Sequence, residues 1–287
     1  STQTSILNHE AANYWADEGA ERIVLARELS LEEIAEIRAK TPKELEIEAF
    51  VHGAMCISYS GRCLISQYMT GRDANHGACA QPCRWNYSLM EEKRPGQFFP
   101  VEEDGRGTYL YNSKDMCMIE HVPELIEAGI TSFKIEGRNK TAYYAACVTG
   151  AYRAAIDTYK KDPENFVLPQ FCRDEVNKVS HREYYTGFYF GNQENGQHYG
   201  DSQYIREYEV VGMPVECDDS GKAVFALKNR FFDGEELELI QPGQVPYVFR
   251  AENVTDDEGT KRELFNVPQM RVHFAFPFKV SEWAILR

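Results

Sequence analysis

Residues 48–87 read EAFVHGAMCISYSGRCLISQYMTGRDANHGACAQPCRWNY and contain four of the chain's eight cysteines. Cys56, Cys63, Cys79 and Cys83 are separated by six, fifteen and three residues. The intervening segments are rich in Gly, Ser, Asn and Arg, a composition that favours turns over a regular helix. We call residues 48–87 the cysteine-rich loop and expect it to bring several thiols together.

Four explanations exist for such a set of thiols. Disulfides need an oxidising compartment, and residues 1–20 show neither the basic start nor the apolar core of a secretory signal. Zinc sites usually pair ligands in two short knuckles, a spacing that only Cys79 and Cys83 have. Reduced core cysteines seldom lie among so many Gly and Arg residues. An iron–sulfur cluster tolerates irregular spacing, so we interpret Cys56, Cys63, Cys79 and Cys83 as its ligands, with Cys117 as a spare.

Long motifs in and after this loop resemble a known family. Residues 48–66 contain EAFVHGAMC followed by GRCL, residues 68–85 contain YMTGRDAN and QPCRW, residues 133–138 read FKIEGR, and residues 180–191 read SHREYYTGFYFG. Together they resemble the collagenase-like peptidase family (the U-thirty-two peptidases). The resemblance covers most of the chain and is weakest after about residue 203.

The family resemblance implies a function. Members are associated with prephenate-dependent or oxygen-independent hydroxylation of wobble uridine in tRNA, of rRNA cytidine or of ubiquinone precursors. The tRNA branch is the most similar, which implies 5-hydroxyuridine formation with tRNA as partner, prephenate as co-substrate and a [4Fe–4S] cluster. The alternatives are a peptidase acting on collagen-like substrates and a non-catalytic scaffold for a cluster. Neither H-E-x-x-H nor G-x-S-x-G is present to support peptide hydrolysis.

The pattern of elements predicts an α/β fold. Strand-like residues 21–26, a capping box that begins a helix at Ser30, and strand-like residues 44–51 form a parallel βα unit. The resemblance implies a partial (β/α) barrel over residues 1–200 that lacks its early βα units and contains an aromatic loop at 182–200. Short strands with turns predict a small antiparallel β-barrel over 201–287. A missing amino-terminal segment or a partner subunit is expected to complete the first domain.

Further elements are predicted between these landmarks. Asn8 is expected to cap the first helix, and residues 87–89 and 98–101 to form short strands around a charged hairpin at 91–95. The remaining predictions are a strand at 107–112, helices at 121–128, 140–160 and 174–180, and a strand at 130–136.

Three side chains at strand ends are candidate catalytic residues. Glu48 and His52 lie two side-chain repeats apart on one strand, and alternate residues of a strand point to the same face, so we expect them to share a face. Glu136 ends a second strand, and catalytic groups in α/β barrels lie at the carboxyl ends of strands. The alternative is an ion-paired strand end that serves stability.

Four cations are candidate substrate-binding residues, because guanidinium and ammonium groups hold carboxylates and phosphates. Arg72 and Arg84 flank the proposed cluster ligands, and Lys134 and Arg138 lie beside Glu136. The alternative for each is a surface salt bridge in an acidic protein.

Bulk composition sets the remaining limits. The 287 residues carry a net charge of −14, which argues against a general nucleic-acid coat but leaves room for a local basic groove. No apolar run approaches the roughly 20 residues that span a bilayer, and a cytoplasmic location is the default expectation.

Overall fold

The computed structural model of the chain describes residues 1–56, 58–85, 88–90, 96, 98–100, 113–191 and 205–287. These residues form two compact units. The first unit contains Ser1–Asn139, Tyr159–Phe166 and His181–Ile205, and the second contains Lys140–Thr158, Val167–Ser180 and Arg206–Arg287. Each unit is therefore assembled from segments that are separated in the sequence.

The first unit is a mixed α/β structure. Its elements are α1 (His9–Asp17), β1 (Arg22–Val24), α2 (Leu31–Ala39), β2 (Glu46–Ala54), α3 (Ile65–Thr70), β3 (Ser88–Met90), β4 (Phe98–Pro100), β5 (Asp115–Cys117), α4 (Val122–Glu127), β6 (Ser132–Ile135) and β7 (Tyr184–Tyr185).

Strand β2 is the centre of the main sheet of this unit. It pairs in parallel with β1 and β6 and antiparallel with β5, and β5 pairs in parallel with β7. Ile47 and Val51 of β2 are fully buried, as an apolar strand covered on both sides should be. The α/β class and the parallel β1–α2–β2 unit are confirmed, whereas the partial barrel stays a prediction.

Local sequence signals fix the first two helices as expected. The Asn8 side chain accepts a hydrogen bond from the Ala11 amide at 2.9 Å and caps α1. Ser30 and Glu33 form the predicted capping box at the start of α2. Each bond satisfies an amide that the first turn of a helix leaves without a partner.

The predictions for residues 87–112 are tested only in part. Strands β3 and β4 pair antiparallel, which confirms two short strands in this region. The hairpin at 91–95 and the strand at 107–112 lie outside the described residues, as do residues 192–200 of the aromatic loop.

The second unit combines two helices with antiparallel strands. Its helices are α5 (Ala142–Lys161), of which the part up to Thr158 belongs to this unit, and α6 (Gln170–Asn177). Its strands are β8 (Gly212–Cys217), β9 (Lys222–Leu227), β10 (Phe231–Phe232), β11 (Glu236–Ile240), β12 (Tyr247–Arg250), β13 (Thr255–Asp256), β14 (Leu264–Phe265), β15 (Arg271–Ala275) and β16 (Ile285–Leu286). Helix α6 begins earlier than the predicted residue 174, because Pro169 takes the N-cap position and Gln170 starts the first turn.

Seven of these strands form one curled antiparallel sheet in the order β12-β11-β16-β8-β9-β15-β13, while β10 and β14 pair separately. The sheet covers a phenylalanine-rich core in which Phe225, Phe231 and Phe265 are fully buried. Phe231 and Phe265 stack with their ring centroids 4.8 Å apart. The antiparallel carboxy-terminal region is thus confirmed as a curled sheet.

None of the described helices combines the length and the apolar character that crossing a bilayer requires.

Candidate functional site

The site begins where β2 ends, because an irregularity there redirects the chain. The pairing of β2 with β6 shifts register between Phe50 and His52, which marks a β-bulge. Immediately after it, Gly53 has a φ of +102°, and a Cβ there would lie 2.3 Å from the Glu136 carbonyl oxygen. Only glycine tolerates this φ angle together with so close a contact, so Gly53 allows the ends of β2 and β6 to approach each other.

The cysteine-rich loop is then fastened to the end of β1 through Ser60. The Ser60 amide donates to Glu28 Oε1 at 2.7 Å, and its hydroxyl accepts from the Arg27 amide at 3.3 Å. Thr2 and Ser5 add bonds from their hydroxyls to Ser60 Oγ at 3.2 Å and to its carbonyl at 2.8 Å. Ser60 is 4% exposed, so these bonds are shielded from competing water.

Turn chemistry shapes the rest of the loop. Gly61, Gly71 and Gly77 all have positive φ angles, and Gln81 adopts the left-handed conformation at φ 56°. The Asn75 side-chain amide donates to the Cys63 carbonyl at 3.0 Å. This composition predicted turns rather than a regular helix. After β2, the described part of the loop contains the short helix α3 and two single-turn 3-10 helices, Ala74–His76 and Pro82–Arg84, with turns between them.

The four predicted ligands line one cavity of about 410 Å³, which we call the cysteine cavity. Cys56, Cys63, Cys79 and Cys83 are each partly buried, and all eight cysteines of the chain are free thiols. Strand ends contribute the opposite wall through Phe50 and Glu136. All four cysteines thus line one cavity, and their role as cluster ligands stays a prediction.

The thiols interact with one another as well as with the protein. Burial raises the pKa of Cys83 to about 11, and the neighbouring Cys56 thiol adds to this effect. Burial also raises the pKa of Cys56, against the opposing influence of the Arg27 cation. Several thiolates in this space would repel one another unless a positively charged group lay between them.

This donor set fits a cluster better than a single ion. Within the described residues, no three His, Cys, Asp or Glu side chains are arranged to hold one metal ion. Ligands of one zinc must approach within about 4 Å of each other, because each Zn–S bond is about 2.3 Å. In a cluster the four thiolates bind different iron atoms, so four cysteines that line one cavity can serve as ligands without all of them meeting at a single ion.

The three candidate catalytic residues lie in different surroundings. Glu48 accepts hydrogen bonds from Lys134 Nζ at 2.6 Å and from Ser132 Oγ at 3.0 Å, and is not among the residues that line the cysteine cavity. Burial works to raise the Glu48 pKa, but these bonds outweigh it and the pKa is lowered. Its contacts are those of an ion-paired strand end.

His52 lies away from Glu48. It is fully buried, with Nε2 3.4 Å from the Tyr184 hydroxyl, and Tyr184 in turn stacks on His181 at 4.2 Å. The pairing of β2 with β6 shifts register between Phe50 and His52, and the shared face of Glu48 and His52 stays a prediction. Of the three candidates, Glu136 alone lines the cysteine cavity, where its Oε1 accepts the Arg138 amide at 3.0 Å.

The four candidate cations differ in whether they line the cysteine cavity. Arg84, Lys134 and Arg138 line the cysteine cavity, whereas Arg72 is exposed and outside its lining. Arg84 is buried in an ion pair with Asp115, with Arg84 Nη1 2.8 Å from Asp115 Oδ1. The spare cysteine, Cys117, lies on β5 opposite His52 and does not line the cavity.

Arg27 is a cavity residue that the sequence analysis missed. Its guanidinium lies over the Phe50 ring with Cζ 3.7 Å from the ring centroid. The Nε atom is closed off from solvent and has no hydrogen-bond partner. A signal did exist in the sequence: Arg27 and Glu28 are two charged residues immediately after the apolar run of β1, at the carboxyl end where α/β sites form.

Comparison with known families identifies the chain. Residues 1–199 match the model of peptidase family U32, and residues 206–287 match the model of the peptidase family U32 C-terminal domain. The chain belongs to peptidase family U32.

Named relatives share much of the sequence. The tRNA hydroxylation protein P1 of Bacillus subtilis is 38% identical over 289 residues, covering 100% of this chain and 68% of that protein. The tRNA hydroxylation protein P of Escherichia coli is 36% identical, covering 84% and 62%. The 23S rRNA 5-hydroxycytidine C2501 synthase of Escherichia coli is 42% identical over 221 residues, covering 75% of this chain and 32% of that protein. This chain thus spans from about one third to two thirds of these relatives.

Among solved structures, the C-terminal domain of a U32 peptidase from Geobacillus thermoleovorans matches 28% of this chain and 99% of its own, with 22% identity and a TM-score of 0.26.

Proposed function

We propose that this chain carries the cluster-binding part of an RNA hydroxylase that forms 5-hydroxyuridine at the tRNA wobble position with prephenate as co-substrate. The observation that carries the proposal is the cysteine cavity, in which Cys56, Cys63, Cys79 and Cys83 line one space beside the ends of β2 and β6. The names of the relatives, tRNA hydroxylation proteins and an rRNA hydroxycytidine synthase, supply the reaction class.

The chain's own residues have distinct tasks in this proposal. The four cysteines would hold a [4Fe–4S] cluster, which supplies redox chemistry when bound. Arg27 and Lys134 place positive charge on the cavity wall, which favours anionic ligands there. Arg84 is committed to Asp115 and fixes the segment after Cys83, so its task is positioning.

Exposed rings around the cavity support an RNA partner. Tyr59 and Tyr68 are 73% and 88% exposed, and Leu64 is 70% exposed. Exposed aromatic side chains can stack unpaired bases, and large exposed apolar groups mark interaction sites. Residues 56–85 also carry three arginines and one aspartate in a chain of net charge −14. Of these arginines, Arg62 and Arg72 are exposed, whereas Arg84 is buried with Asp115. The cysteine-rich loop thus presents two cations beside its exposed tyrosine rings.

Two measurements test the proposal. The full protein, purified without oxygen, should contain iron and sulfide and absorb visible light. The double variant Cys56→Ser, Cys79→Ser should lose the iron, while Cys172→Ser, at a cysteine outside the cavity, should keep it.

Mass spectrometry of tRNA from cells lacking the gene should show loss of 5-hydroxyuridine, restored by the wild-type gene and not by the double variant. Iron-free protein, or unchanged hydroxyuridine, would refute the proposal. Gelatin cleavage that depends on these cysteines would favour a peptidase instead.

A further inference from the structure

The cysteine cavity contains a cation without a bonded counter-charge. Four basic side chains line it, and two of them are already paired: Arg84 with Asp115 and Lys134 with Glu48. Arg27 differs, because its Nε atom is shut off from solvent and has no hydrogen-bond partner. A buried polar group in this state destabilises the protein unless a ligand satisfies it.

Arg27 forms no ion pair with the neighbouring carboxylates of Glu28 and Glu136, although Oε2 of each is also shut off from solvent. Glu28 uses Oε1 to accept the Ser60 amide, and Glu136 uses Oε1 to accept the Arg138 amide. Burial lowers the pKa of Arg27, and the charges of Cys56, Glu136 and Glu28 oppose this only from a distance. The guanidinium therefore retains donor capacity toward the cavity.

The orientation of Arg27 suits a carboxylate. Phe50 covers one face of the guanidinium at 3.7 Å and fixes its plane. The N–H donors of arginine lie in that plane as a rigid fork, which matches the two oxygens of a carboxylate. Arg138 also lines the cavity, and its guanidinium lies near Gly77, where a Cβ would lie 3.9 Å from Nη1.

We infer that Arg27 binds one carboxylate of a small organic dianion in the cysteine cavity, with Arg138 facing its second acidic group. The cavity has a volume of about 410 Å³, and the dianion would share this space with the cluster that the four cysteines would hold. The inference rests on the proposed function, which requires a dicarboxylate co-substrate, and it assigns that co-substrate a place against Phe50.

The test measures prephenate binding to the anaerobically purified full protein by calorimetry. Loss of one bidentate, charge-assisted contact corresponds to at least a tenfold weaker affinity, so Arg27→Gln should weaken prephenate binding by about that factor or more. Arg27→Lys keeps the positive charge but not the planar fork of donors, so its prephenate affinity should lie between those of wild type and Arg27→Gln. Arg62→Gln is the matched control, because Arg62 is an exposed arginine of the same loop outside the cavity lining, and should bind as wild type does.

Iron content and thermal unfolding of each variant separate binding from folding. If Arg27→Gln binds prephenate normally, or if its affinity falls only in proportion to lost iron, Arg27 is a counter-charge for the cluster and the inference is wrong. Inorganic phosphate serves as a second probe, and phosphate binding that exceeds prephenate binding would also overturn it. Intact tRNA hydroxylation with unchanged prephenate affinity in Arg27→Gln would refute this inference and leave the proposed function standing.

Discussion

Ser60 shows how one small residue can fix a whole loop. Its amide, hydroxyl and carbonyl together bond to four partners, Glu28, Arg27, Thr2 and Ser5, which lie on two other segments of the chain. Because Ser60 lies between Cys56 and Cys63, the same bonds hold the first two candidate ligands at the end of β1. The position of those thiols therefore depends on a residue that has no redox chemistry of its own.

We expect Ser60→Ala to lower the free energy of unfolding by about 1–3 kcal/mol, because the Arg27 amide and the Thr2 hydroxyl lose a buried acceptor. Chemical denaturation of the full protein measures this, with iron retention as a second readout. Ser58→Ala, in the same loop, should change the free energy of unfolding by no more than about 0.5 kcal/mol. Equal effects for both variants would show that Ser60 does not anchor the loop.

The sequence alone pointed to the four cysteines that line the cavity and did not point to Arg27. Cysteines in a glycine-rich segment have few alternative roles, so their pattern was enough to predict a shared space. Arginine is common on surfaces, and what distinguishes Arg27 is its stacking on Phe50, a residue 23 positions later in the chain. A contact between distant segments leaves no local signal.

At the scale of elements, the end of β2 depends on a bulge followed by a glycine. Capping residues and alternation predicted α1, α2 and β2 because those signals are local. The bulge arises from the pairing of β2 with β6 and could not be read from either strand alone. Glu48 lies before this bulge and contacts Lys134, and His52 lies after it and contacts Tyr184.

Gly53→Ala should be strongly destabilising. The new Cβ would lie 2.3 Å from the Glu136 carbonyl oxygen and would require a φ near +102°. We expect a loss of about 2–4 kcal/mol in the free energy of unfolding, from backbone strain and overpacking together. Thermal or denaturant unfolding measures it.

The control is Gly71→Ala, at a φ of +70° with no atom within 4 Å of the added Cβ. Only the left-handed strain of about 1–2 kcal/mol should remain there. A Gly53→Ala protein no less stable than Gly71→Ala would mean that β2 and β6 do not approach as described.

At the scale of the whole molecule, an excess of acidic residues makes stability sensitive to pH. Glu238 accepts hydrogen bonds from Lys178 Nζ at 2.8 Å and from Arg287 Nε at 2.8 Å. Burial alone would raise its pKa, but these bonds outweigh burial and hold the pKa below its usual value of 4.5. The ionised carboxylate therefore stabilises the fold above pH 4.5, and this stabilisation is lost as the pH falls through the lower folded-state pKa.

Glu238→Gln should make the free energy of unfolding less dependent on pH below 4.5 and should lower it at neutral pH. Denaturation curves recorded from about pH 3 to about pH 7, a range that covers the ordinary titration of carboxyl groups, measure how the free energy of unfolding changes with pH. Glu236→Gln, an exposed carboxylate on the same strand, should keep the wild-type slope. A Glu238→Gln protein as acid-sensitive as wild type would contradict the assignment.

Binding of tRNA should depend on the rings of the cysteine-rich loop despite the net negative charge. Replacing Tyr59 and Tyr68 by Ala should weaken tRNA affinity by about 5- to 100-fold per ring, because each stacked base contributes about 1–3 kcal/mol. Fluorescence anisotropy under anaerobic conditions measures this affinity. Tyr14→Ala removes another exposed ring, on α1, and should leave affinity unchanged. Equal losses of tRNA affinity in all three variants would show that the cysteine-rich loop is not the tRNA-binding surface.

The second unit carries a lesson for anyone dissecting this family. Arg287 follows β16, yet its buried guanidinium bonds to Glu175 on α6 and to Tyr143 on α5 at 2.9 Å each. A fragment cut at residue 206, where the family's C-terminal domain model begins, would leave both helices behind. The buried Arg287 cation would then lose Glu175 and Tyr143 and keep only its bonds to Glu238. Chimeras that exchange the curled sheet between relatives should therefore transplant α5 and α6 with it.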